Sequence, residues 1–196
     1  MGDHLALDFL NTIAAPRGAP VEWLGAGGDL VDWLVGGGVL AAIDGARLLR
    51  TTERSLFDGV ARDARCLREW LRTLVEQLTN NQARGIASGE LDDLNAILAR
   101  YPAHLRLTPM ADGVVMGSRR AWTEAGELLA PIAEVIADLI ANGDFDLIRK
   151  CENPPCTLWF YDRTKGHKRR WCSQSMCGNR AKVAAFRERR KREGQM

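Results

Sequence analysis

Four of the chain's five cysteines stand in two equal brackets. Cys151 and Cys156 enclose four residues, Cys172 and Cys177 enclose four more, and fifteen residues separate the pairs. Two short cysteine loops joined by a longer segment can bring four thiolates to the corners of a tetrahedron, the geometry that structural zinc prefers. An iron–sulfur cluster also takes four thiolates, but the brackets lack the dense spacing of ferredoxins, so zinc is the preferred reading. Four protein ligands close the coordination sphere and leave no position for a catalytic water. The expected cofactor is therefore a structural Zn²⁺, with His167 an exposed turn residue rather than a ligand.

The segment around the brackets predicts a small module. "TLWFY" and "KRRWC" read as two short strands about "DRTKGH", with Gly166 in the turn. "GNRAKVAAFRERRKRE" reads as a helix that carries the last ligand at its start, with Val183 and Phe186 packed on the hairpin. Knuckle, hairpin and ligand-bearing helix together predict a small treble-clef-like zinc-binding domain. It is too small for a sufficient apolar core, so metal supplies much of its folding energy.

The formal net charge of +2 conceals an asymmetry: residues 149–196 carry +10 and residues 1–148 carry −8. A basic segment on an acidic body is the footprint expected for a polyanion partner, duplex DNA first. The candidate nucleic-acid contacts are Lys168, Arg169, Arg170, Asn179, Arg180, Lys182, Arg187, Arg189 and Lys191. The competing readings are a solvated basic helix and a patch that faces the acidic N-terminal part.

A chain of 196 residues, 46% of them apolar, can bury a real core without help from cysteines. "HLALDFLNT" alternates in a way that fits a strand or a buried helix start. Asp29 can cap a short helix that glycines 36 to 38 end. Leu56, Val60, Ala64, Leu67, Leu71, Leu74 and Leu78 recur at helical spacing, with arginines on the wet side and Cys66 as a small buried hydrophobe. Ser88 opens a further helix, "HLRLTPMADGVVMG" predicts a hairpin about Asp112-Gly113, and a last helix runs from Ala121 to Ile140 with a bend at Pro131. The expected fold is mainly α with a small β-hairpin: a helical N-terminal domain, 1–148, followed by the zinc domain, 149–196. No apolar run suits a membrane and the start lacks a secretion leader, so a soluble, cytoplasmic protein is expected.

At "RRWCSQSMCGNRAK" the sequence resembles the CGNR zinc-finger family, and "LALDFLNT" is similar to the opening of the ABATE domain that usually precedes that finger. The resemblance covers nearly the whole chain. It implies a stress-linked bacterial transcription regulator whose finger binds DNA and whose helical domain senses a small molecule, a function that is itself an inference in the family. It carries over Cys151, Cys156, Cys172 and Cys177 as zinc ligands, and it places Asp162 where the family has an Asp after its aromatic strand. Thr164 in place of the commoner serine and the "KGHK" turn depart from the pattern. Asp8, Asn11 and Thr12, three polar groups in an apolar stretch, are candidate effector contacts with Arg17 as an anion partner; the competing reading is that Asp8 and Asn11 brace the backbone. A homodimer is a further expected partner arrangement.

No Gly-rich phosphate loop, nucleophile elbow or His-rich site occurs, so no enzyme activity is expected. The alternatives are an RNA- or protein-binding zinc adaptor and, behind it, an enzyme with a structural zinc module.

Overall fold

The computed structural model describes residues 2–80 and 85–193. Its helices are α1 (Leu5–Leu10), α2 (Gly27–Gly36), α3 (Ala42–Thr51), α4 (Arg54–Thr79), α5 (Asp92–Arg100), α6 (Leu129–Asn142) and α7 (Asn179–Glu193). Its strands form three antiparallel pairs: β1 (Ile13–Ala14) with β2 (Val21–Glu22), β3 (His104–Met110) with β4 (Gly113–Arg119), and β5 (Ile148–Lys150) with β6 (Trp159–Tyr161). The mainly helical expectation holds, with a cysteine-rich module at the C-terminal end.

The opening apolar stretch resolves into helix α1. His4 caps it, its Nδ1 accepting the Ala6 amide at 3.2 Å, and Ala6, Leu7, Phe9 and Leu10 are buried. In α6 the sequence places a bend at Pro131, but the helix starts only at Leu129. Pro131 thus occupies the first turn, where an absent N–H breaks no hydrogen bond. In α4 the buried stripe runs through Phe57, Val60, Ala61, Ala64, Leu67, Leu71, Leu74 and Val75, whereas Leu56 is exposed. Cys66, expected inside, is also exposed.

The chain divides into two compact units that do not follow the expected boundary at 148. One comprises Met1–Trp23, Arg68–Arg84 and Asn142–Met196; the other comprises Leu24–Leu67 and Gly85–Ala141. The charge shift marks a change of composition, while packing groups the N-terminal residues with the cysteine module.

In the second unit Gly27 opens α2 against α4. A Cβ there would stand 2.2 Å from the Phe57 Cβ, so only glycine permits the approach. The Gly27 amide also donates to Asp58 Oδ1 at 3.0 Å. Further along, Trp122 takes a left-handed φ of 55° before α6. The buried Glu127 carboxylate holds that turn, accepting from the amides of Trp122 at 2.9 Å and Thr123 at 2.7 Å and from the Thr123 hydroxyl at 2.6 Å. Successive amides gathered on one anion form a nest. Burial raises the Glu127 pKa, but the hydrogen bonds from Thr123, Trp122 and Glu124 outweigh it and hold the group below its ordinary value.

Candidate metal centre and basic helix

The cysteine module pairs its strands differently from the expectation. The aromatic strand β6 runs beside β5, with Ile148 opposite Tyr161, Arg149 opposite Phe160 and Lys150 opposite Trp159. "KRRWC" forms no ladder with it. That segment is fastened by the Glu152 amide, which donates to the Arg170 carbonyl at 2.9 Å, and by Asp162. Asp162 is fully buried and accepts from the Thr164 amide at 3.1 Å, the Thr164 hydroxyl at 2.6 Å and the Arg169 amide at 2.8 Å. Burial opposes its charge, yet these donors and the Arg149 guanidinium keep its pKa below the ordinary carboxylate value. Thr164 thus supplies the hydroxyl that closes the turn. The left-handed residue is His167, at φ 47°, rather than Gly166. Its ring Nδ1 lies 3.2 Å from the Asp162 carbonyl.

The four cysteines converge. Cys151, Cys156, Cys172 and Cys177 are all buried, and their sulfurs lie within 4.8 Å of one another. Cys156 Sγ is 3.8 Å from Cys172 Sγ, and Cys172 Sγ is 3.6 Å from Cys177 Sγ. A regular tetrahedron with Zn–S bonds of about 2.3 Å has S···S edges of about 3.8 Å, so the cluster is sized for zinc. A disulfide would need sulfurs about 2.05 Å apart. The Cys172 amide donates to Cys151 Sγ at 3.5 Å and the Asn153 side chain to Cys177 Sγ at 3.6 Å, and such donors orient thiolates that hold a metal.

Electrostatics make the same point. Burial pushes the Cys156 thiol up to about 11. It pushes Cys172 higher still, helped by the Cys177 thiol. Burial also opposes the Cys151 thiolate, but hydrogen bonds from Cys172 and Asn153 outweigh it and hold that thiol below its ordinary value. Four thiolates in one buried cluster require a cation at the centre, and zinc supplies it.

The cluster's apolar wall contains Ala14, Leu158 and Phe160 beside the four cysteines, with Trp171 packed against it. Ala14 comes from the N-terminal segment, which is stitched along residues 157–161 at three levels. The Tyr161 amide donates to the Gly2 carbonyl at 2.8 Å and the Ala15 amide to Thr157 Oγ1 at 2.8 Å. Between them Asn11 Nδ2 donates to the Trp159 carbonyl at 2.8 Å, and the Trp159 amide donates to Asn11 Oδ1 at 2.9 Å. The Asn11 amide thereby acts as a strand partner.

The other polar groups of the opening motif are also engaged within the fold. Asp8 Oδ1 accepts the Gly2 amide at 2.8 Å. Thr12 donates to the Phe9 carbonyl at 2.7 Å and accepts from Arg68 Nη1 at 3.0 Å. Arg68 itself lies on the buried stripe of α4, only 2% exposed, and grips Glu22 with bonds of 2.8 and 2.7 Å and Glu69 with one of 2.9 Å. Sequence reading placed the α4 arginines outside and missed it. The usable signal was its position four residues after Ala64 and three before Leu71. Arg17, by contrast, is exposed.

The expected nucleic-acid contacts separate into two groups. Arg169 is committed internally: its guanidinium lies 4.3 Å from the Phe160 ring centroid, pairs with Asp3, and donates to the carbonyls of Trp171 and Cys172. Arg180 donates to the Pro16 carbonyl, and Asn179 Nδ2 to Ser175 O at 3.0 Å. Arg170 pairs with Glu152 at 2.6 Å and lies over the Trp171 ring. Lys168, Lys182, Arg187, Arg189 and Lys191 are exposed. Helix α7 buries no residue along its fifteen, and Val183 and Phe186 stand 48% and 54% exposed instead of packing on the hairpin. Its first turn follows the Cys177 ligand, and among the described residues none buries the helix beyond that.

A cleft of about 390 Å³ lies beside the zinc module, lined among others by Glu76, Asn80, Arg149, Lys150 and Trp159. Among the described residues the buried Trp159 indole Nε1 has no hydrogen-bond partner. Its ring lies 5.8 Å from Lys150 Nζ.

A helical N-terminal part followed by a four-cysteine zinc centre with an exposed basic helix defines a zinc-finger protein. The chain belongs to the ABATE family, described as "Putative stress-induced transcription regulator", over residues 3–143, and its residues 148–190 match the CGNR zinc finger. No curated protein gives a match.

Proposed function

We propose that the chain is a DNA-binding transcription regulator whose structural zinc holds α7 ready for the major groove. The observation that carries this reading is the layout of that helix. Val183 and Phe186 form an apolar strip; Arg187 and Lys191 lie along one flank, and Lys182 and Arg189 lie along the other. A strip facing base edges between two rows of phosphate-binding cations is what a groove-bound helix requires. A fifteen-residue helix that buries none of its residues among the described ones is marginal in water, and the close cations Arg187 and Lys191 repel along its face. An anionic partner relieves both. Arg169 and Arg180, in this reading, build the module rather than touch DNA.

In this reading the zinc sphere is filled by protein sulfurs and the metal is structural, with no open position for a substrate. The family description supports a transcription regulator, with duplex DNA as partner and the cytoplasm as place belonging to this proposal. Among the described residues no helix is long and apolar enough to cross a membrane. For the sensing arm, the cleft at Trp159 is a better-supported place for a small-molecule effector than Asp8, Asn11 and Thr12. Those three already hold protein partners, whereas the indole N–H calls for an acceptor such as a carboxylate. The test of the main reading is selection of bound fragments from random duplex DNA by the zinc-loaded full chain. Retention of a recurring sequence supports it. Retention of single-stranded RNA in preference to duplex would replace it with the adaptor reading.

A further inference from the structure

The hairpin β3–β4 leaves both of its faces in water. Cross-strand partners share a face, so its register sorts the side chains into two sets. Leu105 opposite Ser118, Leu107 opposite Met116 and Pro109 opposite Val114 form one face. Leu105 is 74% exposed, Leu107 67%, and Val114 and Met116 64% each. The other face carries His104 opposite Arg119, Arg106 opposite Gly117, Thr108 opposite Val115 and Met110 opposite Gly113, so its apolar groups are mixed with the cations. One face is therefore apolar and uncharged, and the cations lie on its reverse. Two-stranded hairpins are at best marginal alone and need a covered apolar face for stability.

We infer that this face is a homodimer interface, closed by the same face of a second copy. Charge favours that occupant. The patch offers no charged group by which to select a different protein, and pairing it with itself brings no like charges together, because His104, Arg106 and Arg119 point away. A two-fold axis through the middle of the patch sets Leu107 of each copy against Met116 of the other, an isologous fit. Area agrees as well. Four large side chains with their neighbours expose on the order of 400 Å² per copy, so two copies would bury on the order of 800–1,000 Å². That reaches the small end of specific interfaces and predicts a weak, concentration-dependent dimer. Edge-to-edge pairing through β3 is disfavoured, since Pro109 has no N–H to donate. The inference rests on the hairpin alone and stands or falls independently of DNA binding.

Sedimentation equilibrium of the zinc-loaded full chain, without nucleic acid, tests it. The expected result is a monomer–dimer equilibrium that is insensitive to salt between about 0.1 and 0.5 M, because the contact is apolar. The double variant Leu107→Glu, Met116→Glu should weaken association by roughly 30-fold or more. At concentrations where the parent is monomeric, the variant's thermal midpoint should stay close to the parent's, since both side chains are exposed in the single chain. Arg106→Glu, on the reverse face, should leave the dimer intact. If the glutamates disturb folding, Leu107→Ser with Met116→Ser serves in their place. A chain that stays monomeric at the highest concentration reached overturns the inference. So does a dimer that ignores the Leu107 and Met116 substitutions or is broken by Arg106→Glu.

Discussion

Asn11 shows how much of this fold hangs on single side chains. Its amide takes both backbone hydrogen bonds of Trp159, 148 residues away, and so joins the first helix to the strand that backs the zinc centre. Asn11→Ala leaves a buried N–H and a buried carbonyl unpaired and should cost about 2–4 kcal/mol, which lowers the melting midpoint by roughly 4–15 °C in a chain of this size. Asn11→Asp should be worse than Ala, because a carboxylate can accept from the Trp159 amide but repels its carbonyl. A thermal melt of the three proteins checks the order. Nothing local betrays such a role: an Asn after an apolar run fits a cap, a pocket or a brace equally well. Arg68 was hidden for the same reason, its partners Glu22 and Thr12 lying far back in the chain.

Glu127 gives a residue-scale prediction in pH. Its folded pKa is depressed below the ordinary value of 4.5, so the stability it contributes is fully present above that value and is lost as pH falls through the folded pKa. Glu127→Gln should destabilise the Trp122–Glu124 turn by roughly 1–3 kcal/mol at pH 7. The gap between variant and parent should narrow as pH falls below the ordinary value of 4.5 and close once pH passes the folded pKa. A denaturation series across pH 3 to about 8 reads this directly; a constant gap would mean that charge on Glu127 contributes nothing.

At the scale of elements, what was legible depended on whether a pattern is local. The zinc ligands were legible because four thiolates at bracket spacing have few other uses in one chain. The β3–β4 hairpin was legible from alternation about Asp112-Gly113. The partner of β6 was not, since "KRRWC" and Ile148–Lys150 are equally strand-like and the decision rests with Asp162, whose buried carboxylate gathers the intervening turn instead of leaving it to a ladder. Helix α7 was legible as a helix but not as an uncovered one: Val183 and Phe186 read as core positions, and among the described residues both stay about half exposed.

Zinc removal should act on elements far from each other in sequence. Ala14 lines the cysteine cluster, and Gly2, Asn11 and Ala15 bond along residues 157–161. Chelation, or Cys172→Ser, should therefore raise amide hydrogen exchange in residues 2–16 together with 148–180, while α2, α3, α5 and α6 stay protected on their own core. Loss of protection confined to 148–180 would show that the N-terminal segment does not depend on the metal.

For the whole molecule, the two compact units change what a division at residue 148 means. An isolated 149–196 fragment would lack Ala14 and the bonds from Gly2, Asn11 and Ala15, so it is a poor stand-in for the zinc module. DNA binding is a property to be measured on the full, zinc-loaded chain. There the charge pattern makes a quantitative demand, since each phosphate contact releases counterions.

The most direct measurement is the salt dependence of duplex binding by the parent chain and by a variant with Lys182, Arg187, Arg189 and Lys191 all changed to glutamine. The four side chains are exposed, so the variant should fold and keep its zinc. A titration followed by fluorescence anisotropy should show weaker binding to every duplex and a plot of log affinity against log salt flatter by about one unit per lost contact. Equal slopes for the two proteins, or no affinity of the parent for duplex DNA at low salt, would contradict the assignment of α7 as the helix that meets DNA.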